Sequence, residues 1–218
     1  MKVVSASEAC ERLLSEDPLG DYFTWWDQVK QSDVEAFTSA LDNATCEEDI
    51  QQFLQNHPQI LIQHFGGGHG RWVIPKKKLG SEHVTDFIIG QKSSIGFEWQ
   101  VVELESPLRP LFNKSGDPSQ YLNHAIRQIQ DWRIWLNSNQ NYASRPKSES
   151  GLGLTEISSS VPGLIIIGRR DKTLTNNNAR RKQMAHNLNI EIRTYDHLLD
   201  TLQGRINANK LHEKEIIL

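Results

Sequence analysis

Two apolar stretches, VTDFIIG at residues 84–90 and WQVVELESP at residues 99–107, decide the fold. Both are rich in β-branched and aromatic side chains, which favour strands. They predict strands over residues 84–89 and 97–105, and the turn-forming residues 90–94 between them predict a hairpin. The apolar flanks of this hairpin indicate that it belongs to a largely buried sheet.

The predicted hairpin carries acids where a core strand is usually apolar. Glu103 and Glu105 stand two apart, so their side chains leave the same face, whereas Val102 and Leu104 point the other way into the core. In a regular hairpin register, Asp86 lies directly across from Glu103. We therefore expect three carboxylates close together on one face of the sheet.

The chemistry of such a cluster indicates a bound cation. Neighbouring carboxylates raise one another's pKa and destabilise the fold unless a cation compensates their charge. Oxygen ligands without cysteine favour Mg²⁺ (or Mn²⁺) over zinc, and a metal-bound water can attack a phosphodiester. The alternative is that Glu103 and Glu105 line the solvated side of an edge strand.

The rest of the chain alternates predicted helices and strands, which is typical of a mixed α/β fold. A capping box of Thr45 and Glu48 starts a helix that Pro58 ends. Asp117 and Pro118 start another helix. The other predicted elements are a helical segment over residues 1–43, the continuation of the Asp117 helix to residue 136, a mobile loop over residues 137–160, strands over residues 164–167 and 190–194, and helices over residues 178–188 and 196–204.

Composition limits the class of protein. The 218 residues are 37% hydrophobic and 23% charged, which is enough apolar material for a core and too much for a wholly disordered chain. No apolar stretch is long enough to cross a bilayer, and the N-terminus lacks the apolar segment of a secretory signal. The two cysteines fit a reducing compartment. These features predict a soluble, cytoplasmic protein with no membrane partner.

Charge is distributed unevenly along the chain. Residues 1–60 carry three Lys and Arg against twelve Asp and Glu, whereas the remainder carries 21 against 15. Basic side chains concentrate near residues 71–78 and again near residues 169–182, as a polyanion-binding surface requires, although ordinary solvated surface is the alternative. The candidate DNA-binding residues are Arg169, Arg180, Arg181 and Lys182.

Three other patterns are less informative. The Gly-rich segment FGGGHG at residues 65–70 lacks the GK[ST] ending of a phosphate-binding P-loop, although His69 within it could contact substrate. The histidine spacings match no closed zinc site. Trp25 and Trp26 are expected in the core rather than stacked on bases.

The arrangement of Asp86 and Glu103 resembles the PD-(D/E)XK nuclease superfamily, and the wider chain is similar to the nuclease domain of the Shedu anti-phage defence proteins. The matching stretches are FLQNHPQIL at 53–61, VTDFIIG at 84–90, VVELESP at 101–107, AIRQIQDW at 125–132, LIIIGR at 164–169 and EIRTYDHLL at 191–199. The resemblance implies a restriction-endonuclease-like mixed sheet flanked by helices over residues 45–218, with a short acidic helical extension over residues 1–44. It also implies a metal-dependent DNA endonuclease that forms homo-oligomers, with Asp86 and Glu103 as metal ligands.

The chain departs from the superfamily pattern at Glu105, where a lysine is usual. A minority of restriction endonucleases resemble this chain in having Glu-x-Glu, and Glu105 would then orient or deprotonate the attacking water or hold a second metal. Gln128, four residues before Trp132, resembles a Gln-x-x-x-Tyr element and could fix a water or a phosphate, and Glu48 could be a further metal ligand. Two alternatives remain: a nuclease fold that binds DNA without cleaving it, and a protein-interaction module that docks through its acidic N-terminal segment.

Overall fold

A five-stranded mixed sheet forms the centre of the computed structural model, which describes residues 19–65, 70–170 and 174–216. In spatial order its strands are β1 (Gly70–Pro75), β4 (Phe87–Ser93), β5 (Gly96–Leu104), β6 (Gly163–Ile166) and β7 (Ile190–Arg193). The first three run antiparallel, whereas β5, β6 and β7 run parallel. Two short strands, β2 (Lys78–Leu79) and β3 (His83–Val84), form a separate ribbon.

Helices cover both faces of the sheet. In chain order they are α1 (Gln31–Asn43), α2 (Glu47–Asn56), α3 (Pro58–Leu61), α4 (Gln120–Ser144), α5 (Leu174–Leu188) and α6 (Tyr195–Ile216). One apolar cluster joins the sheet to α4, and a second joins its other face to α1, α2 and α6. The prediction of a mixed α/β sheet flanked by helices is confirmed, and the architecture is compatible with a restriction-endonuclease-like fold.

The β4–β5 hairpin has the register that the sequence predicts. Phe87 pairs with Val102, and the same register places Asp86 across from Glu103. The predicted turn was too long, because both strands continue until only a two-residue loop remains at residues 94–95. The register follows from the alternation of apolar residues, since a one-residue slip would turn every side chain to the wrong face.

The alternation along β5 determines which face carries the acids. Val102 and Leu104 are fully buried in the cluster with α1, α2 and α6, whereas Val101 belongs to the cluster with α4. Glu103 and Glu105 share the face of Val101, because side chains two apart on a strand point the same way. The acids therefore face α4.

The predicted capping box is wrong by one residue. α2 begins at Glu47, and its capping carboxylate is Asp49, which accepts the backbone N–H groups of Thr45 (2.8 Å) and Cys46 (3.2 Å). Because Asp49 fills this position, Glu48 does not cap the helix and lies exposed on its first turn.

The helix expected over residues 118–136 is longer and begins later. α4 begins at Gln120 because the Oγ of Ser119 accepts the N–H of Leu122 at 3.1 Å, a side-chain cap that Asp117 does not provide. The helix then continues well beyond residue 136. The sequence pattern did not predict this extension, because polar residues on the solvated face of the helix weaken its apolar period.

The segment predicted as a mobile loop over residues 137–160 is packed. Its first part completes α4, and Leu154 and Ile157 are buried in the cluster with that helix. The β1 strand was also missed, and α6 runs to Ile216 rather than ending at residue 204. Isolated apolar anchors in a polar segment carry no period, so only their tertiary contacts identify them.

The described part of the acidic N-terminal segment, from residue 19 onward, packs against the rest of the fold. Phe37 and Leu41 of α1 are buried in the cluster that includes α6. Trp26 is partly buried in that cluster, but Trp25 is 46% exposed, so its expected burial was wrong. The features predicted in residues 1–18 and at His69 lie outside the described residues. No helix in the described ranges is both long and apolar enough to cross a membrane.

Candidate active site

Asp86 and Glu103 form the centre of a buried acidic cluster. Asp86 lies just before β4, and its Oδ2 accepts the backbone N–H of Leu104 at 2.8 Å, which fixes the carboxylate over β5. Asp86 lies near enough to Glu103 for its charge to raise the pKa of that carboxyl. Asp86, Glu103 and Glu105 keep only 6%, 4% and 6% of their surface exposed. The structure therefore buries these three acids beside one another, while their chemical roles stay predictions.

A lysine in the turn after β1, Lys76, lies against this cluster. The Nζ of Lys76 donates to Oδ1 of Asp86 at 2.9 Å, and the backbone N–H of Lys76 donates to the carbonyl of Asp86 at 2.9 Å. Lys76 has a φ of 44°, a left-handed conformation that is uncommon and costly for a residue with a side chain. Burial lowers the pKa of Lys76, but the hydrogen bond and charge of Asp86 outweigh it, so the net shift is upward. The turn after β1 thus holds a positive charge against Asp86.

Glu105 occupies the position where the superfamily pattern has lysine. Its Oε1 lies 3.2 Å from Nδ1 of His124 on α4. Its backbone is fixed on both sides, because its N–H donates to the carbonyl of Ile166 at 2.9 Å and its carbonyl accepts from the hydroxyl of Tyr195 at 2.9 Å. Burial raises the pKa of Glu105, and the hydrogen bond to His124 opposes that shift. The Glu105–His124 pair connects the buried cluster to solvent, since half of the His124 side chain is exposed.

The acid that α2 contributes is Glu47 rather than Glu48. Glu47 lines the same cleft as Glu103 and Glu105. Burial, followed by the charges of Asp86 and Glu105, raises the pKa of Glu47 to about 7. Glu48 instead lies 4.0 Å from Lys76 on the exposed side, so the structure favours Glu47 as the additional acid of the site.

Gln128 lies where the sequence predicts, on the face of α4 that covers the acids. Its amide Nε2 donates to Oε1 of Glu103 and lies 3.4 Å from Nδ1 of His124. Trp132, one turn further along α4, is 1% exposed and belongs to the core. In this arrangement Gln128 holds Glu103 directly.

Glu103 has the most perturbed acidity of the described carboxyls whose pKa is resolved. Burial, together with the charges of Asp86, Glu47 and Glu105, raises the pKa of Glu103 to about 10. Glu103 is therefore protonated at neutral pH in the metal-free protein. A cation bound here would take the place of that proton.

The acids open into a cleft of about 640 Å³. One wall is the end of β5 and the start of α2, and the other is the first two turns of α4. α4 presents polar residues here because its apolar stripe faces the sheet, leaving the adjacent stripe toward the cleft. The lining residues are Glu47, Glu103, Glu105, Gln120, Tyr121, Asn123, His124, Arg127 and Gln128.

The carboxylates fit a hard divalent cation by their chemistry. Carboxylate oxygens are the ligands that Mg²⁺ and Mn²⁺ take, and a cation would offset the repulsion that raises these pKa values. Within the described part of the chain, however, no three His, Cys, Asp or Glu side chains converge on one point suited to a metal ion. Asp86, Glu103 and Glu105 engage Lys76, Gln128 and His124 instead. Metal binding would therefore require these side chains to exchange partners.

The residues predicted to bind DNA do not line this cleft. Arg169 pairs with Asp42 (3.3 Å) and Asp196 (3.2 Å), and Arg180 pairs with Asp117 (3.1 Å). Arg181 is half-buried and Lys182 is exposed, both on α5. Their part in DNA binding stays a prediction.

Sequence reasoning missed three residues of the site: Glu47, Lys76 and His124. Glu47 was hidden by the misplaced capping box. His124 stands four residues before Gln128, so the helical period would have placed both on one face of α4. Lys76 stood out only as part of the basic stretch near residues 71–78, because only the pairing of β1 with β4 brings it to Asp86.

Comparison with known proteins identifies a family. The family model described as Shedu protein SduA, C-terminal, matches residues 44–199, which is more than half of the chain. That span contains every acid of the cluster together with Lys76, His124 and Gln128. A search of curated proteins found no match.

Proposed function

Because the chain belongs to the Shedu SduA C-terminal family, we propose that it is a divalent-metal-dependent DNA endonuclease that acts in anti-phage defence. The observation that carries the proposal is the buried cluster of Asp86, Glu103 and Glu105 beside Glu47. Burying so many acids costs stability, and a bound cation would offset that cost. Their position at the end of a core strand, in an open cleft, favours catalysis over structure.

Asp86 and Glu103 are the residues that would hold the cation, and Glu47 is placed to add a third carboxylate. A bound Mg²⁺ or Mn²⁺ would supply charge neutralisation of a phosphate and activation of a water. Gln128 keeps Glu103 oriented in the metal-free protein. On metal binding, Glu103 would give up the proton that its raised pKa retains.

Lys76 is the residue we assign to the positive charge that Glu105 cannot provide. Its ammonium group reaches Asp86 from the turn after β1. A lysine held there can contact a phosphate oxygen once Asp86 turns to the cation. The left-handed backbone of Lys76 supports this role, since strained conformations cluster at functional sites.

Glu105 and His124 are the residues we assign to proton transfer. Glu105 is buried and accepts a hydrogen bond from His124, whose ring faces the cleft. A carboxylate with a raised pKa is a suitable acceptor for the proton of an attacking water. His124 can pass that proton to solvent.

A DNA-binding protein without cleavage is the second candidate. It is favoured by Glu105 in place of lysine and by the protein partner that each of the three buried acids already has. The two candidate functions differ in whether the acids can exchange these protein partners for a metal ion.

Incubation of the purified protein with supercoiled plasmid and Mg²⁺, Mn²⁺, Ca²⁺ or EDTA tests the proposal. A nuclease should convert the plasmid to nicked or linear DNA with Mg²⁺ or Mn²⁺, and the Asp86→Asn variant purified in parallel should not. A protein that binds DNA but leaves it intact under every metal supports the second candidate. Equal cleavage by Asp86→Asn and by the wild type would refute the assigned site.

A further inference from the structure

The cleft itself is a poor surface for DNA without nearby cations. Glu47, Glu103 and Glu105 line it, and carboxylates repel a polyanion. Lys76 is engaged by Asp86 at 2.9 Å. Any nucleic acid that reaches the acids must therefore be held by positive charge on the rim.

Two arginines stand on that rim. Arg127 lies on the face of α4 that lines the cleft, and its side chain is exposed. Arg109 follows β5 closely and lies near enough to Glu105 to lower the pKa of that carboxyl. Neither guanidinium forms an ion pair with a carboxylate in the described ranges, whereas Arg169, Arg170 and Arg180 each do.

Arg109 is held in place from two sides. Its guanidinium lies over the ring of Tyr121, 4.4 Å from the centroid, and Tyr121 also lines the cleft. Stacking on an aromatic face leaves the in-plane N–H groups of an arginine free to donate to a phosphate. Its backbone is set by Gly168, which has a φ of 66° and whose hypothetical Cβ would lie 2.4 Å from the carbonyl oxygen of Arg109. The backbone therefore passes Gly168 too closely for any larger residue.

We propose that Arg109 and Arg127 bind backbone phosphates of the nucleic acid on either side of the phosphate that enters the cleft, with Tyr121 as the positioning residue for Arg109. This inference rests on the proposed function, because it assigns the path of the substrate past the same acids. The surface defined by Arg109, Tyr121 and Arg127 is the arginine rim. It is distinct from the predicted DNA-binding group of Arg169, Arg180, Arg181 and Lys182, of which the last three lie on α5.

Binding of a labelled DNA duplex in EDTA, measured by fluorescence anisotropy across a series of salt concentrations, tests the arginine rim without cleavage. Each lost phosphate contact lowers the log–log salt slope by about one. The Arg109→Gln/Arg127→Gln double variant should therefore show a slope lower by about two and weaker binding at every salt concentration. An Arg180→Gln/Arg181→Gln variant tests the competing surface on α5.

Arg145→Gln is the matched control. Arg145 is an exposed arginine that caps the C-terminal end of α4, beyond the kink at Asn139 and far along the chain from Tyr121. The Arg145→Gln variant should bind DNA with the same salt slope as the wild type. Circular dichroism of all variants checks that these surface changes leave the fold intact.

Variants of Tyr121 test whether its ring positions Arg109 for binding DNA. Tyr121→Leu should lower the salt slope by about one, because Arg109 loses its platform, and Tyr121→Phe should restore it because the ring is kept. Inorganic phosphate at matched ionic strength should not displace the duplex, and displacement would show a site for free phosphate instead. Wild-type binding with an unchanged slope in the double variant would overturn the arginine rim alone. No DNA binding by the wild type, in EDTA or in Ca²⁺, would overturn the proposed function with it.

Discussion

The clearest physical consequence of the acidic cluster is that stability should fall as the pH rises, and Glu103→Gln should remove part of that fall. The pKa of Glu103 is raised from 4.5 to about 10. A carboxyl whose pKa is higher in the folded state stabilises the fold fully below its unfolded pKa. That contribution is lost as the pH rises through the folded pKa.

The magnitude follows from one proton. Between pH 7 and pH 9 the folded chain keeps the proton on Glu103, whose pKa is about 10, whereas the unfolded chain has lost it. One proton changes the free energy of unfolding by about 1.4 kcal/mol per pH unit, so wild type should lose about 3 kcal/mol over this window from Glu103 alone. Glutamine keeps the shape and cannot titrate. The difference in unfolding free energy, Glu103→Gln minus wild type, should therefore grow by about 3 kcal/mol.

Urea unfolding in EDTA, followed by tryptophan fluorescence, measures this difference at each pH. Glu47→Gln is the matched comparison, because the pKa of Glu47 is raised only to about 7. Its difference from wild type should grow between pH 5 and pH 7 and then level off, while that of Glu103→Gln continues to grow. Parallel stability curves for Glu103→Gln and wild type from pH 7 to pH 9 would refute the account of a buried, protonated Glu103.

Three further outcomes are expected. Glu105→Gln should remove most cleavage in the plasmid assay while keeping DNA affinity in EDTA, because an amide cannot accept the proton of water; cleavage at the wild-type rate would exclude Glu105 from proton transfer. Lys76→Met should slow cleavage yet increase the rise in melting temperature that Mn²⁺ produces, since the ammonium group that competes for Asp86 is gone; a smaller rise would contradict that competition. Gly168→Ala should destabilise the fold by about 2 kcal/mol in urea, because of its positive φ and its contact with the Arg109 carbonyl; unchanged stability would show that the backbone there can adjust.

Sequence alone determined the core of the site, because its acids lie on two strands that are neighbours along the chain. The alternation of apolar residues fixed the register of β4 and β5, and the register placed Asp86 across from Glu103. Glu105 shares that face for the same reason. Gln128 came instead from the resemblance to a Gln-x-x-x-Tyr element. The placement of the three acids needed only a local repeat of two residues.

Only the tertiary structure decided what surrounds those acids. Lys76 reaches Asp86 through the pairing of β1 with β4, and β1 was not predicted. Glu47 replaced Glu48 because the cap fell to Asp49, a shift of one residue that turns a different side chain toward the cleft. Local patterns fix which face a residue occupies, but contacts between distant segments carry no period in the sequence. The sequence therefore predicts the three central acids of this site, whereas only the folded structure identifies Lys76 as the positive group beside them.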